Sequence, residues 1–136
     1  MRDFEKKVRD SFSRQHVMEL IGAKLQSVES GTVEIVLPFR DDLTQQHGFI
    51  HAGIITTIAD SACGYAAYTL MPEGTDVLSV EFKTNLLRPA RGKEFIAKAR
   101  VIKPGKTLSV VTCDVFANTA NESKIIATML ATMICR

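Results

Sequence analysis

Residues 45–67 read QQHGFIHAGIITTIADSACGYAA. A polar, glycine-bearing turn passes into a run in which Ile54, Ile55, Ile58, Ala59, Ala62, Cys63, Ala66 and Ala67 recur at steps of one, three and four, the spacing of a broad helical face. One carboxylate, Asp60, is set into that run. Burying a carboxylate without partners is costly or forces its protonation, so packing does not account for it. Asp60 is the residue to explain.

Upstream, Phe4, Val8 and Phe12 stand four residues apart and Val17, Leu20 and Ile21 lead to Gly22, which predicts one amphipathic helix over residues 1–21. Val33, Ile35 and Leu37 then alternate along a strand closed by Pro38, paired as a hairpin with KLQSVES around Ser30-Gly31. The central helix is expected over residues 52–71, ended by Pro72 and Gly74. Four strand-like runs follow, residues 77–87, 94–103, 107–117 and 124–135, separated by Pro- and Gly-rich or Asn-rich turns. Their expected inward sets are Leu78, Val80 and Phe82; Phe95, Ala97, Ala99 and Val101; Leu108 and Val110; Ile126, Leu130 and Ile134. Short links favour antiparallel neighbours. The class is α+β, an antiparallel sheet wrapped around a long central helix.

With 136 residues the chain is read as one domain, 1–136. A net charge of +2 argues against general nucleic-acid binding. Cys63, Cys113 and Cys135 are odd in number, far apart and without metal-ligand spacing, which fits a reducing, cytoplasmic setting. The first residues, MRDFEKKVRDSF, lack the apolar core of a signal peptide, and no run approaches a membrane span. Neither membrane nor metal is therefore expected. His47 and His51 have a metal pair's i, i+4 separation, but Gly48 places them in a turn and no third ligand follows. Cys63 reads as a small hydrophobe in a packed helix.

The first N–H groups of a helix have no internal partner and carry its positive end. A helix beginning near Ala52 would let the N–H of Ala52 or Gly53 bind a carbonyl oxygen as it turns negative in acyl transfer. Asp60 would be the base or nucleophile, with His51 bonded to the turn or to the substrate carbonyl. Eight helical residues separate Asp60 from Ala52 by roughly 12 Å, whereas a base works at about 3 Å. A homodimer with two equivalent sites, Asp60 of one copy facing the turn of the other, is the expectation. Basic residues gather between Lys83 and Lys106; Arg88, Arg91, Lys103 and Lys106, with Gly105 and Thr107, fall in turns suited to phosphate oxygens. They equally suit a solvated sheet face.

These residues resemble the hot-dog-fold acyl-CoA thioesterases, in particular the phenylacetic-acid-degradation type and its 4-hydroxybenzoyl-CoA thioesterase relatives, through HGFIHAGIITTIADSACGYA against the pattern HGxxHGGxxxxLxD/E. The resemblance implies a hot-dog fold and hydrolysis of an aromatic or medium- to long-chain acyl-CoA. It implies Asp60 as the carboxylate, the Ala52 N–H as the donor to the thioester carbonyl and His51 beside it. Gln45 falls where the family carries an Asn or Gln that places the carbonyl or the water. It implies a dimer, often paired again into a tetramer, and no cofactor beyond the coenzyme A of the substrate. Ala52 stands where the family has a second glycine, and Gly64 where many members have Ser or Thr; Ser79 takes the water-holding position of some aspartate-type members. Phe49, Tyr65, Tyr68, Phe82 and Met71 are candidates to line the acyl pocket, against a plain core role. The rival readings are a hot-dog dehydratase and a non-catalytic acyl-CoA-binding or sensing domain; Asp60 and Gln45 are ill suited to a purely apolar ligand pocket.

Overall fold

A computed structural model describes residues 1–136. In chain order it contains α1 (Asp3–Ser13), α2 (His16–Ile21), β1 (Lys24–Glu29), β2 (Thr32–Pro38), a single helical turn at Asp41–Leu43, α3 (Ala52–Tyr68), β3 (Val77–Leu86), β4 (Glu94–Lys103), β5 (Leu108–Asn118) and β6 (Ser123–Cys135). The six strands form one antiparallel sheet in the order β1-β2-β4-β5-β6-β3. It wraps α3, whose residues Ile55, Ile58, Ala59, Ala62, Cys63 and Ala66 are buried against it. This is the expected α+β hot-dog architecture. No helix is long and apolar enough to cross a membrane.

The single N-terminal helix expected over residues 1–21 is two. Gln15 is extended (φ −85°, ψ 96°) between them, because its side chain turns inward to bond with α3 rather than continuing the helical face. Met18 and Ile21 are the buried residues of α2, while Val17 and Leu20 are exposed. Gly22 ends the helix in the left-handed region (φ 81°), a conformation open to glycine without steric cost. The central helix stops at Tyr68, three residues short of the expected end. Thr69 follows as its cap and accepts from Gly31 N–H at 2.8 Å, tying the β1–β2 turn to that end.

Which face of each strand points inward differs from the alternation expected for β3, β5 and β6. On β5 the buried residues are Ser109, Val111, Cys113, Val115 and Ala117, and on β6 Ala127, Met129, Ala131 and Met133, with the expected Ile126 buried as well at the bulge, whereas Leu108 and Leu130 are half exposed. The inner side mixes small residues (Ser109, Cys113, Ala117, Ala127, Ala131) with Val111, Val115, Met129 and Met133, while Leu108 and Leu130 are on the outer side. In β3 a bulge between Ser79 and Glu81 shifts the register, so that Ser79 faces Met133 and Phe82 faces Ala131. Ser79 and Phe82 therefore share the helix side, while Leu78 lies outside opposite Ile134.

The two sheet edges are unlike. β1 is six residues long, carries a bulge between Leu25 and Ser27, and begins and ends on Lys24 and Glu29, features that discourage pairing. β3 has ten residues, nearly all exposed, among them Leu78, Val80, Phe82 and Leu86. Nothing in the chain covers that edge.

Candidate active site

The loop before α3 is closed by its own backbone: Gln45 N–H donates to Phe49 O (2.8 Å), Gly48 N–H to Gln45 O (3.0 Å), and Gly48 sits at φ 86°. Gln45 Oε1 accepts from the N–H of His47 (2.7 Å) and Phe49 (3.2 Å). With the carbonyl end of the amide so occupied, Gln45 keeps Nε2, a pure donor, without a partner in the chain. Ile50 N–H donates to Ala90 O (3.1 Å), so the residue 87–90 segment lies beside the loop. That segment is fixed in turn by Leu87 and Arg88 N–H on Ile126 O (2.8 and 3.3 Å), at a bulge in β6.

His51 caps α3, its Nδ1 accepting from Gly53 N–H at 2.8 Å. Accepting there requires an unprotonated Nδ1, which in the neutral ring leaves the proton on Nε2. It also removes Gly53 from the two oxyanion donors expected, since its N–H is already bonded. Ala52 N–H has no partner in the chain. It opens, with Gln45, Phe49 and His51, into a cavity of about 600 Å³ whose other walls are largely apolar, including Ile55, Leu86, Leu87 and Ile126. Arg88 lines this cavity and a second one of about 430 Å³ that also takes Arg91 and Lys124. Arg91 lies over the Phe49 ring, 5.2 Å from its centroid.

Asp60 is on the face of α3 turned toward β3. Ser79 Oγ donates to its Oδ1 at 2.6 Å, leaving Oδ2 uncommitted. Both residues line a third cavity of about 270 Å³ with Ser11, Gln15, Ser61, Gly64, Tyr65, Val77, Leu78 and Met133. Asp60 and Ala52 belong to one continuous helix, so the roughly 12 Å expected between them stands within the chain.

Of the other expected residues, Phe82 is partly exposed on the edge strand, and Tyr65 is buried with its hydroxyl at the third cavity. Tyr68 is at the far end of α3 under Lys7, whose Nζ is 4.4 Å from the ring centroid. Lys103, Gly105, Lys106 and Thr107 form the β4–β5 turn, a ten-residue strand or roughly 30 Å from the Arg88–Arg91 end. The Gly105 N–H expected to meet phosphate donates instead to Ser109 Oγ at 3.2 Å. No three His, Cys, Asp or Glu side chains cluster as a metal site. Ser11, Gln15 and Ser61 at this cavity belong to no sequence motif; the one signal is the lapse of four-residue apolar spacing after Phe12.

A family model described as the thioesterase superfamily matches residues 47–124. A thioesterase family protein from Silicibacter pomeroyi is 52% identical in its crystal structure, with a TM-score of 0.96 over 97% of each chain. A Saccharolobus solfataricus protein provisionally named an esterase is 30% identical over 84% of this chain and 75% of its own. The 1,4-dihydroxy-2-naphthoyl-CoA hydrolase of Listeria monocytogenes is 27% identical over 69% of this chain and 76% of its own.

Proposed function

The chain belongs to the thioesterase superfamily, and on that premise we propose that it hydrolyses acyl-CoA thioesters at two equivalent sites shared between the protomers of a homodimer. The observation that carries this reading is the division of one catalytic set along one helix. An unpaired Ala52 N–H stands at its start, and Asp60, held by Ser79, stands eight residues on beside an uncovered strand edge. Two copies joined along β3 would run their central helices antiparallel and bring Asp60 of each toward Ala52 of the other. A pairing of two such dimers fits the same reading.

In such a site the Ala52 N–H and the helix dipole receive the thioester oxygen as it becomes an oxyanion. The Gln45 Nε2 donor lies at the same mouth. The free Oδ2 of Asp60 takes a proton from water as its oxygen bonds to the carbonyl carbon, and collapse of the tetrahedral adduct breaks the C–S bond. Coenzyme A leaves as the thiol, receiving the proton held by Asp60, and the acid leaves as carboxylate after losing its remaining proton to solvent. Direct attack by Asp60, giving a mixed anhydride that water then opens, uses the same position. The apolar cavity beyond Ala52 suits a pantetheine arm, and Arg88, Arg91 and Lys124 beyond it suit phosphate oxygens. The naphthoyl-CoA hydrolase among the relatives favours including aryl esters among the substrates.

The test is thiol release from aromatic and straight-chain acyl-CoAs by wild type and Asp60→Asn. We expect release that falls at least a hundredfold in the variant, in line with the loss of a catalytic acid–base group. Coenzyme A esters that bind but are released intact by both proteins would replace this reading with that of an acyl-CoA-binding domain.

A further inference from the structure

An antiparallel sheet that packs one face on a helix ordinarily turns polar residues to water on the other. At the end of this sheet nearest the β4–β5 turn it does not. The register sets Leu78, Ile134 and Leu108 side by side across β3, β6 and β5 on the outer face. The next outward rows are Glu81, Thr132, Val110 and Lys103, then Lys83, Leu130, Thr112 and Arg100. Ile102 stands beside them at a bulge in β4. Leu78, Ile102, Leu108 and Leu130 are each about half exposed. Because the strands place them together, they form one apolar patch, the kind of surface that marks an interaction site.

The excess charge bordering the patch is positive. In these rows Glu81 is the only acid, and Lys83 beside it on β3 offsets it. Asp76 and Arg136, joined through their backbones at the adjoining corner, add one charge of each sign. Arg100, Lys103 and Lys106 remain, all exposed and none in an ion pair. Lys103 and Lys106 belong to the turn that suited phosphate oxygens in the sequence and that the fold sets far from Arg88 and Arg91. The candidate active site leaves them without a use.

We propose that this outer sheet face docks on an anionic lipid bilayer, with Ile102, Leu108 and Leu130 entering the headgroup boundary and Arg100, Lys103 and Lys106 meeting lipid phosphates. Charge complementarity decides the occupant. A second copy laid face to face would set these cations against their own kind, whereas lipid phosphates pair with them. No helix crosses a membrane, and contact of this kind needs none. Two protomers joined along β3 by an axis perpendicular to the sheet keep their outer faces on one side, so both patches address one plane and bind it together. Only that doubling rests on the dimer proposed above. The cavities at Ala52 and Asp60, lined by α3, stay on the opposite side of the sheet.

The experiment floats the full chain with vesicles of phosphatidylcholine alone and of phosphatidylcholine with about one-third phosphatidylglycerol, at low and high salt. We expect wild type to bind the anionic vesicles at least tenfold more tightly, with the preference shrinking at high salt. Each cation near an anionic surface is worth roughly fivefold in affinity, so reversing two, in Lys103→Glu with Lys106→Glu, should weaken binding at least twentyfold. Leu108→Glu with Leu130→Glu should abolish it. All four side chains are exposed, and circular dichroism checks that each variant is folded. Wild type that ignores the anionic lipid, or variants that bind as wild type does, overturn the proposal. Sedimentation velocity supplies the rival outcome: a wild-type assembly larger than a dimer that Leu108→Glu with Leu130→Glu splits, with no vesicle binding, gives the face to a second copy and equally overturns it. None of these readouts depends on thiol release, so the hydrolase reading stands or falls separately.

Discussion

Reversing one charge on the uncovered strand should separate the protomers, and reversing two should bring them back. A twofold axis perpendicular to a continuous sheet keeps each side of the sheet on its own side, so it must pass at the level of a residue in β3. Glu81 and Lys83 lie on the outer side, opposite Thr132 and Leu130, with Phe82 between them on the helix side. An axis at Glu81 or Lys83 would set like charges against each other, whereas an axis at Phe82 pairs Glu81 with the partner's Lys83 twice per dimer. An opposite-charge cross-strand pair contributes roughly 0.2–1 kcal/mol, and like charges oppose pairing by a similar amount. Either Glu81→Lys or Lys83→Glu flips two pairs, a swing of about 1–4 kcal/mol, or roughly fivefold to a thousandfold in the dimer dissociation constant. Sedimentation velocity over a concentration series at low salt reads this directly, because these exposed charges are screened at high salt. The double reversal restores both pairs and should return the wild-type constant. Single variants that dissociate no more readily than wild type, or a double variant no better than the singles, would refute the register and with it the face chosen for the interface.

Four further outcomes follow from the same geometry. Ser79→Ala removes a 2.6 Å bond to Asp60, and a hydrogen bond to a charged group is worth about 1.5–3 kcal/mol; kcat should fall about 10- to 100-fold, with KM changed less. At Gly53 a methyl would lie 3.0 Å from His51 Nδ1, so Gly53→Ala should dislodge the cap, costing about 1 kcal/mol and several degrees of Tm, and lower activity by misplacing the Ala52 N–H. Gly64→Ala has room, its new carbon meeting Met133 Sδ at 3.9 Å; it should stabilise α3 by about 0.5–1 kcal/mol while narrowing the Asp60 cavity, seen as a raised Tm and a lower kcat/KM for the bulkier acyl groups. The contact with Cys63, together with burial, pushes the Cys113 thiol well above its ordinary value, and Cys63 is itself buried; maleimide labelling of the native protein should reach Cys135 alone, the other two reacting only after unfolding.

The central helix, its glycine-bearing approach and the four strands after it were legible because each rests on local pattern: small apolar residues at helical spacing, and Pro–Gly or Asn turns between alternating runs. The inward faces of β5 and β6 were not. A hydrophobicity pattern favours Leu108, Leu130 and Ile134, but the side facing the helix is a mixture of Ala, Ser and Cys with Val111, Val115, Met129 and Met133, and fit to the partner surface, which one strand's pattern does not record, decided the matter. The bulge at Ser79–Glu81 was equally hidden, since inserting one residue into a ladder leaves no compositional mark; it is what places Ser79 beside Asp60. Asp60 and Ala52 could be singled out from sequence, one by its apolar surroundings and one by its place at a helix start. The loss of Gly53 as a donor could not, because it depends on a ring conformation two residues away. Gln15 reached the site only through tertiary structure, by way of Ser61 and Tyr65 on α3.

The strand order also fixes a timetable. β3 follows directly after α3 in the sequence, yet its one partner in the sheet is β6, the last strand of the chain. While β4 and β5 are being synthesised, Leu78, Val80, Phe82 and Leu86 have no strand to lie against, and only when residues 123–135 emerge can β3 dock and deliver Ser79 to Asp60. Elements whose contacts are distant in sequence form late and stay exposed longest. Asp60 is therefore made early and given its Ser79 partner last, and the apolar edge becomes an ordered strand only once the C-terminal strand can hold it flat.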